Sequence, residues 1–168
     1  VEAISALKSM SVNTVMLTGD NVHTAEVIAK QAGVDAFEGD LLPADKLAKV
    51  TELSQKGVTG MVGDGINDAP ALVKADIGFA MAAFGTDTAI ESADVALMDD
   101  DLRKIPRFIK LSKATYAILV QNIALALGIK AVFIGLTFAG LATMWLAVFA
   151  DVGASLIVVA NGLRAMRK

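Results

Sequence analysis

Along the first hundred residues, short apolar runs alternate with longer stretches whose apolar positions recur at helical spacing. Residues 1–10 are amphipathic and read as a helix. Residues 12–17 are β-branched and apolar, and end in the turn signal Thr18-Gly19-Asp20-Asn21. Val22–Ala32 has helical periodicity and stops at Gly33, a C-cap residue. Pro43–Lys56 is predicted as a further helix, with Pro43 in its first turn and Gly57 just past its end. Residues 59–62 form a short apolar run closed by Gly63-Asp64-Gly65. Ala69–Lys74 reads as a short helix, Ile77–Met81 and residues 95–98 as strands, and residues 86–92 as a helix between them. This alternation predicts an α/β domain with a parallel sheet and helices on both faces. Ligands of such sheets sit at the carboxyl ends of the strands. The polar clusters after Leu17 and after Val62 lie at such ends. No internal repeat or low-complexity linker is apparent.

From Leu102 the pattern changes. Arg103, Lys104, Arg107, Lys110 and Lys113 mark a basic helix that continues into an apolar stretch, 118–138, with Lys130 as its one formal charge. After Ala139-Gly140 a second apolar stretch, 141–159, carries only Asp151. Each stretch has about 20 residues, enough to cross a hydrocarbon core of roughly 30 Å. The predicted organisation is an α/β part (1–101), a stalk helix (102–117), a transmembrane α-helical hairpin (118–163) and a basic tail (164–168). The alternative is a helical hairpin buried in a soluble protein. Lys and Arg flank both outer ends and are absent from the turn, which by the positive-inside rule places both ends in the cytoplasm. The organelle expected is a bacterial plasma membrane, with lipid as a partner.

Charge sharpens this division. The chain has 168 residues, 55% hydrophobic, with a net charge of −3. Residues 1–101 hold 17 Asp and Glu against 6 Lys and Arg, whereas residues 102–168 hold 1 acid and 9 bases. An acidic domain followed by a basic, apolar segment marks a membrane junction. There is no Cys, hence no disulfide framework or thiolate metal site. No signal peptide is visible, and no nucleic-acid partner is expected. The chain starts at Val1 inside a predicted helix and reads as a fragment of a longer protein.

Three clusters carry candidate chemistry. Thr18-Gly19-Asp20 offers a hydroxyl and backbone N–H groups at a strand end, a turn able to hold a phosphoryl group. Lys46, near the start of the helix at Pro43, can neutralise phosphoryl oxygens. Gly63-Asp64-Gly65-Ile66-Asn67-Asp68 sets two carboxylates four residues apart around a Gly-rich turn, a hard oxygen set that suits Mg²⁺. Singly each is weak: a Thr-Gly-Asp or Asp-Gly is usually a turn, and a helical Lys is usually solvated.

The order and wording of the clusters resemble P-type ATPases, of the haloacid dehalogenase superfamily. Thr18-Gly19-Asp20-Asn21, Pro43-Ala44-Asp45-Lys46 and the string from Val62 through Gly63-Asp64-Gly65-Ile66-Asn67-Asp68-Ala69-Pro70-Ala71-Leu72 carry the likeness. It continues through Ala75-Asp76-Ile77-Gly78, Gly85-Thr86-Asp87-Thr88-Ala89 and Ala93-Asp94-Val95. The resemblance implies a Rossmann-like phosphorylation domain, present in part. It implies that Thr18 hydrogen-bonds the transferred phosphoryl group, Lys46 stabilises its charge, Asp64 binds Mg²⁺, and Asn67 and Asp68 support that site. Asp20, beside Gly19, would lie near the phosphate and nucleotide interface. In the family an aspartate accepts the γ-phosphoryl of ATP. The Asp-Lys-Thr-Gly-Thr motif bearing that aspartate is absent here, as are the nucleotide-binding and actuator domains, so ATP would be bound mainly by missing parts of the same polypeptide. The fragment alone is expected to be inactive, and strands of the missing half are expected to border its sheet.

Lys130 lies ten residues before Gly140 and Asp151 eleven after it, which places both roughly 15–16 Å from the turn at 1.5 Å per residue. Opposite charges at one membrane depth are expected to pair or to line an ion path, the alternative being a structural ion pair. The segments 145–154 and Asn161-Gly162-Leu163-Arg164 resemble the last helices of zinc, cadmium and lead exporters. This implies Asp151 as a ligand of the transported divalent cation and Lys130 as a built-in counter-ion. A carboxylate also suits such a cation better than Cu(I). Ala150 and Ala154 form a small face, either a contact to missing helices or ordinary composition. His23 reads as a surface or nucleotide-side residue, the Met residues as filler, and Asp99-Asp100-Asp101 as an N-cap to the stalk helix. The remaining alternatives are a membrane-anchored phosphatase of the same superfamily, a P-type ATPase for another cation, and a non-catalytic truncated fragment.

Overall fold

A computed structural model describes residues 1–64, 66–83 and 87–167. Gly65, Gly85 and Thr86 of the strings above lie outside the described residues, as does the first residue of the helix expected at 86–92. Two compact units are present, Val1–Pro106 and a second from Arg107 onward.

The first unit alternates helix and strand: α1 (Glu2–Ser9), β1 (Val15–Leu17), α2 (Val22–Ala32), β2 (Ala36–Glu38), α3 (Pro43–Lys56), β3 (Gly60–Gly63), α4 (Ala69–Lys74), β4 (Ile77–Met81), α5 (Asp87–Ser92) and β5 (Val95–Leu97). All strand pairs are parallel. They fall into two sheets, β1-β2 and β3-β4-β5, rather than the single sheet expected. The physical reason is that no described strand hydrogen-bonds both β1 and β3. The strand β2 was also not foreseen. At three residues it is too short to show a period.

Local chemistry sets the helix ends. The Asn21 side chain accepts from the Thr24 amide at 2.8 Å and caps α2, a contact worth about 1 kcal/mol. The Asp45 carboxylate accepts from the Leu42 amide at 2.9 Å at the start of α3. Asp101 does the same for the Arg103 amide at 2.9 Å, and Asp99 pairs with Lys104 at 2.8 Å, at the head of the next helix. The core joins the two sheets through α3. Val50 packs with Met61, Ala71, Leu72 and Ala80, and Leu17 of β1 packs against this cluster.

One device recurs at the strand starts. Asp35, Asp76 and Asp94 each stand immediately before a strand and bind the neighbouring strand twice. Their carboxylates accept the amides of Thr14, Thr59 and Gly78, each at 2.8 Å. Their own amides donate to the carbonyls of the same three residues, each at 3.0 Å. Charge-assisted bonds of this kind are about twice as strong as neutral ones.

In the second unit, α6 (Lys104–Phe138, beginning at the end of the first unit) is followed by α7 (Met144–Gly162) and a 3-10 turn (Leu163–Arg167). The join is closed by Gly140 at φ 71°, a left-handed conformation that favours glycine. The Thr143 hydroxyl caps α7 by accepting from the Leu146 amide at 3.3 Å. Both helices are long and apolar enough to span a membrane, and only 6% and 0% of their apolar windows are buried.

Asp35 offers a test of the strand device. The Lys8 ammonium at 2.8 Å, and then the Thr14 amide and hydroxyl, hold its carboxyl down to about 2. A depressed pKa adds stability above the ordinary carboxylate value, and that stability is lost as pH falls toward the folded value. By calorimetry, Asp35→Asn is expected to lower Tm at pH 6. The difference from wild type should shrink between about pH 4 and pH 2.

Candidate functional site

Thr18, Gly19 and Asp20 follow β1 directly. The Thr18 hydroxyl donates to the Asp20 carboxylate at 2.9 Å and accepts from the Asp20 amide at 3.1 Å, which folds the turn on itself. A second loop, after β2, holds this turn in place. The Asp40 amide donates to the Asp20 carbonyl at 2.7 Å and the Leu41 amide to the Thr18 carbonyl at 3.1 Å. Gly39 makes the approach possible: a Cβ there would stand 2.8 Å from the Val22 Cα and 2.9 Å from the Asp20 oxygen. Sequence reasoning missed Gly39. Its only signal was a Gly-Asp pair after an unrecognised strand.

Lys46, in the first turn of α3, is brought against Asp68, in the 3-10 turn Ile66–Asp68 that precedes α4. The ammonium lies 2.9 Å from the carboxylate, and the two side chains are 17% and 12% exposed. Asp68 also tucks under the end of β3. A Cβ at Gly63 would come within 2.7 Å of the Asp68 Cβ, so only glycine fits without a shift. Asp64 and Asn67 flank this pair and are exposed. The structure thus joins Lys46 to Asp68 and Thr18 to Asp20. Among the described residues no hydrogen bond links the two clusters. His23 is exposed at the start of α2.

In the second unit, Lys130 and Asp151 line one cleft of about 560 Å³ between α6 and α7. They share it, and no salt bridge joins them, which leaves the ion-path half of the expectation standing as a proposal. Ala150 and Ala154 line the same cleft. Their small face is turned toward α6 rather than away from it. The Ser155 hydroxyl, one turn past Asp151, donates to the Asp151 carbonyl at 2.9 Å and leaves the carboxylate uncommitted by that contact.

Comparison with known proteins gives these clusters a setting. A family described as haloacid dehalogenase-like hydrolase matches residues 1–76, which include every phosphate-side candidate named above. The chain is 54% identical over 155 residues to a probable cadmium-transporting ATPase of Listeria monocytogenes, covering 92% of this chain and 22% of that protein. It is 49% identical over 166 residues to the zinc/cadmium/lead-transporting P-type ATPase of Escherichia coli (strain K12), covering 99% of this chain and 22% of that protein. A crystal structure of a zinc-transporting PIB-type ATPase in the E2.Pi state matches with a TM-score of 0.93 and 49% identity, over 98% of this chain and 27% of that one. The chain belongs to the P-type ATPase family. It spans about a quarter of the length of these P-type ATPases.

Among the ion pairs of the described residues of this P-type ATPase segment, Lys46–Asp68 is the least exposed, and it can be tested by stability. Lys46→Met leaves Asp68 without its partner in a nearly closed setting, at a cost of about 3 kcal/mol. Adding Asp68→Leu is expected to restore most of that loss, since removing both charges also removes the unpaired one. Urea unfolding of the detergent-solubilised protein checks both.

Proposed function

We propose that this chain is part of an ATP-driven exporter of a divalent heavy-metal cation, Zn²⁺, Cd²⁺ or Pb²⁺. The intermediate is an aspartyl phosphate formed on an aspartate outside these residues, and ATP is held mainly by other parts of the polypeptide. The observation that carries this reading is the cleft between two membrane-length helices that holds one carboxylate and one ammonium. It occurs in a chain whose first unit carries phosphoryl-handling residues. The names of the relatives agree with the cargo.

The roles follow from chemistry. Thr18 already uses its hydroxyl as a donor to a carboxylate oxygen. The same proton can turn to a phosphoryl oxygen brought to the end of β1, while the Asp20 amide keeps the turn closed. The Lys46 ammonium has three donors. Asp68 takes one, which orients the group and leaves two for phosphoryl oxygens. Asp68, committed to Lys46 and wedged beneath Gly63, acts as a support. Asp64 is the exposed hard oxygen, and Asn67 flanks it. This donor set fits Mg²⁺, which takes one or two carboxylates and completes its shell with water and phosphate. When bound there, Mg²⁺ would neutralise charge on the phosphoryl oxygens. In the membrane, Asp151 contacts the cargo as a hard, charged ligand. Lys130 balances Asp151 when the cargo has left. Both outer ends of the hairpin face the cytoplasm, on the strength of the Lys and Arg that flank them.

A membrane-anchored phosphatase would need no charged cleft between its helices, which is why export is preferred. The test is metal-stimulated ATP hydrolysis by the complete parent protein across Zn²⁺, Cd²⁺, Pb²⁺ and Cu⁺. Asp151→Ala is expected to lose the response to the divalent ions. An unchanged response in the variant, or stimulation by Cu⁺ alone, overturns the cargo site. Separately, Lys46→Ala should lower turnover by about 100-fold or more while metal binding is retained, as removing a donor to developing charge does elsewhere. Retained turnover would remove Lys46 from the phosphoryl site.

A further inference from the structure

Away from the charged cleft, the two membrane helices share a polar contact. Asn161, near the end of α7, donates through Nδ2 to Asn122 Oδ1 at 2.9 Å and to Gln121 Oε1 at 3.4 Å, both on α6. The other end of the same amide is also held: Arg164 Nη1 donates to Asn161 Oδ1 at 2.8 Å. A guanidinium only donates. It therefore fixes the oxygen end of the Asn161 amide on its own side and leaves the amino end to face α6. The amides of Asn122 and Gln121 can donate or accept and would permit either sense, and Arg164 selects one.

The position of this contact gives it a consequence. Asn161 lies ten residues beyond Asp151, and Asn122 eight before Lys130. At 1.5 Å per residue the contact is roughly 12–15 Å from the charged cleft, on the side away from the turn at Gly140. The hairpin is thus pinned at one end by covalent connection and at the other by Asn161. Between the pins it stands open around Lys130 and Asp151. In lipid no hydrophobic drive presses two apolar helices together, so interhelical hydrogen bonds take a larger share of holding them.

We propose that Asn161, oriented by Arg164 and received by Asn122 and Gln121, is a positioning clamp. It sets the separation of Lys130 and Asp151 and so the cation affinity of the cleft. This rests on the cargo reading of that cleft given above.

The experiment uses the complete parent protein in lipid nanodiscs, with encoded spin-label residues at positions 127 and 157 and pulsed distance measurement in the absence of metal. Leu127 and Ile157 are both exposed. Asn161→Ala is expected to broaden and shift the distance distribution. It should also raise the Zn²⁺ concentration for half-maximal ATPase stimulation about fivefold, with turnover at saturating metal within about twofold of wild type. Arg164→Gln should move both readouts the same way by less. Asn161→Ala combined with Asn122→Ala should be no worse than Asn161→Ala, since the Asn122 contact is already lost with Asn161. Gly162→Ala is the control for added bulk at this level. Its methyl would meet Asn122 Nδ2 at 3.8 Å, an ordinary contact, and both readouts should stay at wild type. An unchanged distance distribution, an unchanged metal requirement, or additive effects of the two Asn variants each overturns the clamp. Asp151→Ala run alongside separates the two readings. If it keeps the metal response, the cargo site itself has failed, whatever the distances show.

Discussion

Everything in the first unit depends on three aspartates that tie the beginnings of neighbouring strands together. The strands are three to five residues long, and parallel ladders are slightly less stable per residue than antiparallel ones. Ladders so short specify register weakly, and a one-residue slip would turn each strand's core side chains to the other face. Asp35, Asp76 and Asp94 remove that ambiguity. Each makes a reciprocal pair with one residue of the adjacent strand, amide to carbonyl and carboxylate to amide. With the starts aligned, the carboxyl ends are aligned as well. That is where Thr18 and Asp64 emerge. The register Leu17↔Glu38 also brings the loop carrying Gly39 back onto the Thr18 turn. The geometry of the candidate site is therefore set at the opposite end of the strands from where its residues emerge.

The second constraint is steric. Gly63 ends β3 with no side chain, and Asp68 occupies the space that one would take. Lys46 then closes over Asp68. Two carboxylates four residues apart acquire different environments from this packing alone: Asp68 is nearly enclosed and paired, and Asp64 is exposed. A carboxylate that must take a metal benefits from exposure, and one that must hold a lysine benefits from enclosure, where the local dielectric strengthens the contact.

Much of this was legible from residue order. Helical spacing, with Gly33, Pro43 and Gly57 at the ends, located α2 and α3, and the long apolar stretches gave α6 and α7, while the cap at Asn21 emerged only from the structure. The strand β2 was not legible because Ala36-Phe37-Glu38 has neither length nor alternation. The aspartate device was written in the chain as Val34-Asp35-Ala36, Ala75-Asp76-Ile77 and Ala93-Asp94-Val95. It looks like three unrelated loop acids until the strand pairs are known. Single-sheet continuity failed for a related reason: a sequence shows strands but not which edges meet. For the candidate site, the residues were named from the sequence, but their partners were not. That Lys46 meets Asp68, 22 positions away, follows from how α3 and the turn after β3 pack on Val50 and Leu72. No local pattern encodes it. The contact of Asn161 with Asn122 spans 39 positions and is equally silent.

The two units answer the problem of enclosed charge in opposite ways. Around Asp68 the chain packs an ammonium against the carboxylate and shuts most water out. Around Asp151 it keeps an ammonium nearby in the same cleft and does not join the two. A closed pair in hydrocarbon would be hard to break, because each charge released would lose its only compensation. A cation entering such a pair would have to displace the lysine at that cost. Holding the helices apart leaves the carboxylate with incomplete compensation, which on the proposed reading an incoming divalent ion would complete. The small residues Ala150 and Ala154 supply the width of that opening without adding bulk. A loosely packed hairpin, a defect in a soluble core, is on the proposed reading the condition under which a carboxylate at membrane depth would exchange partners.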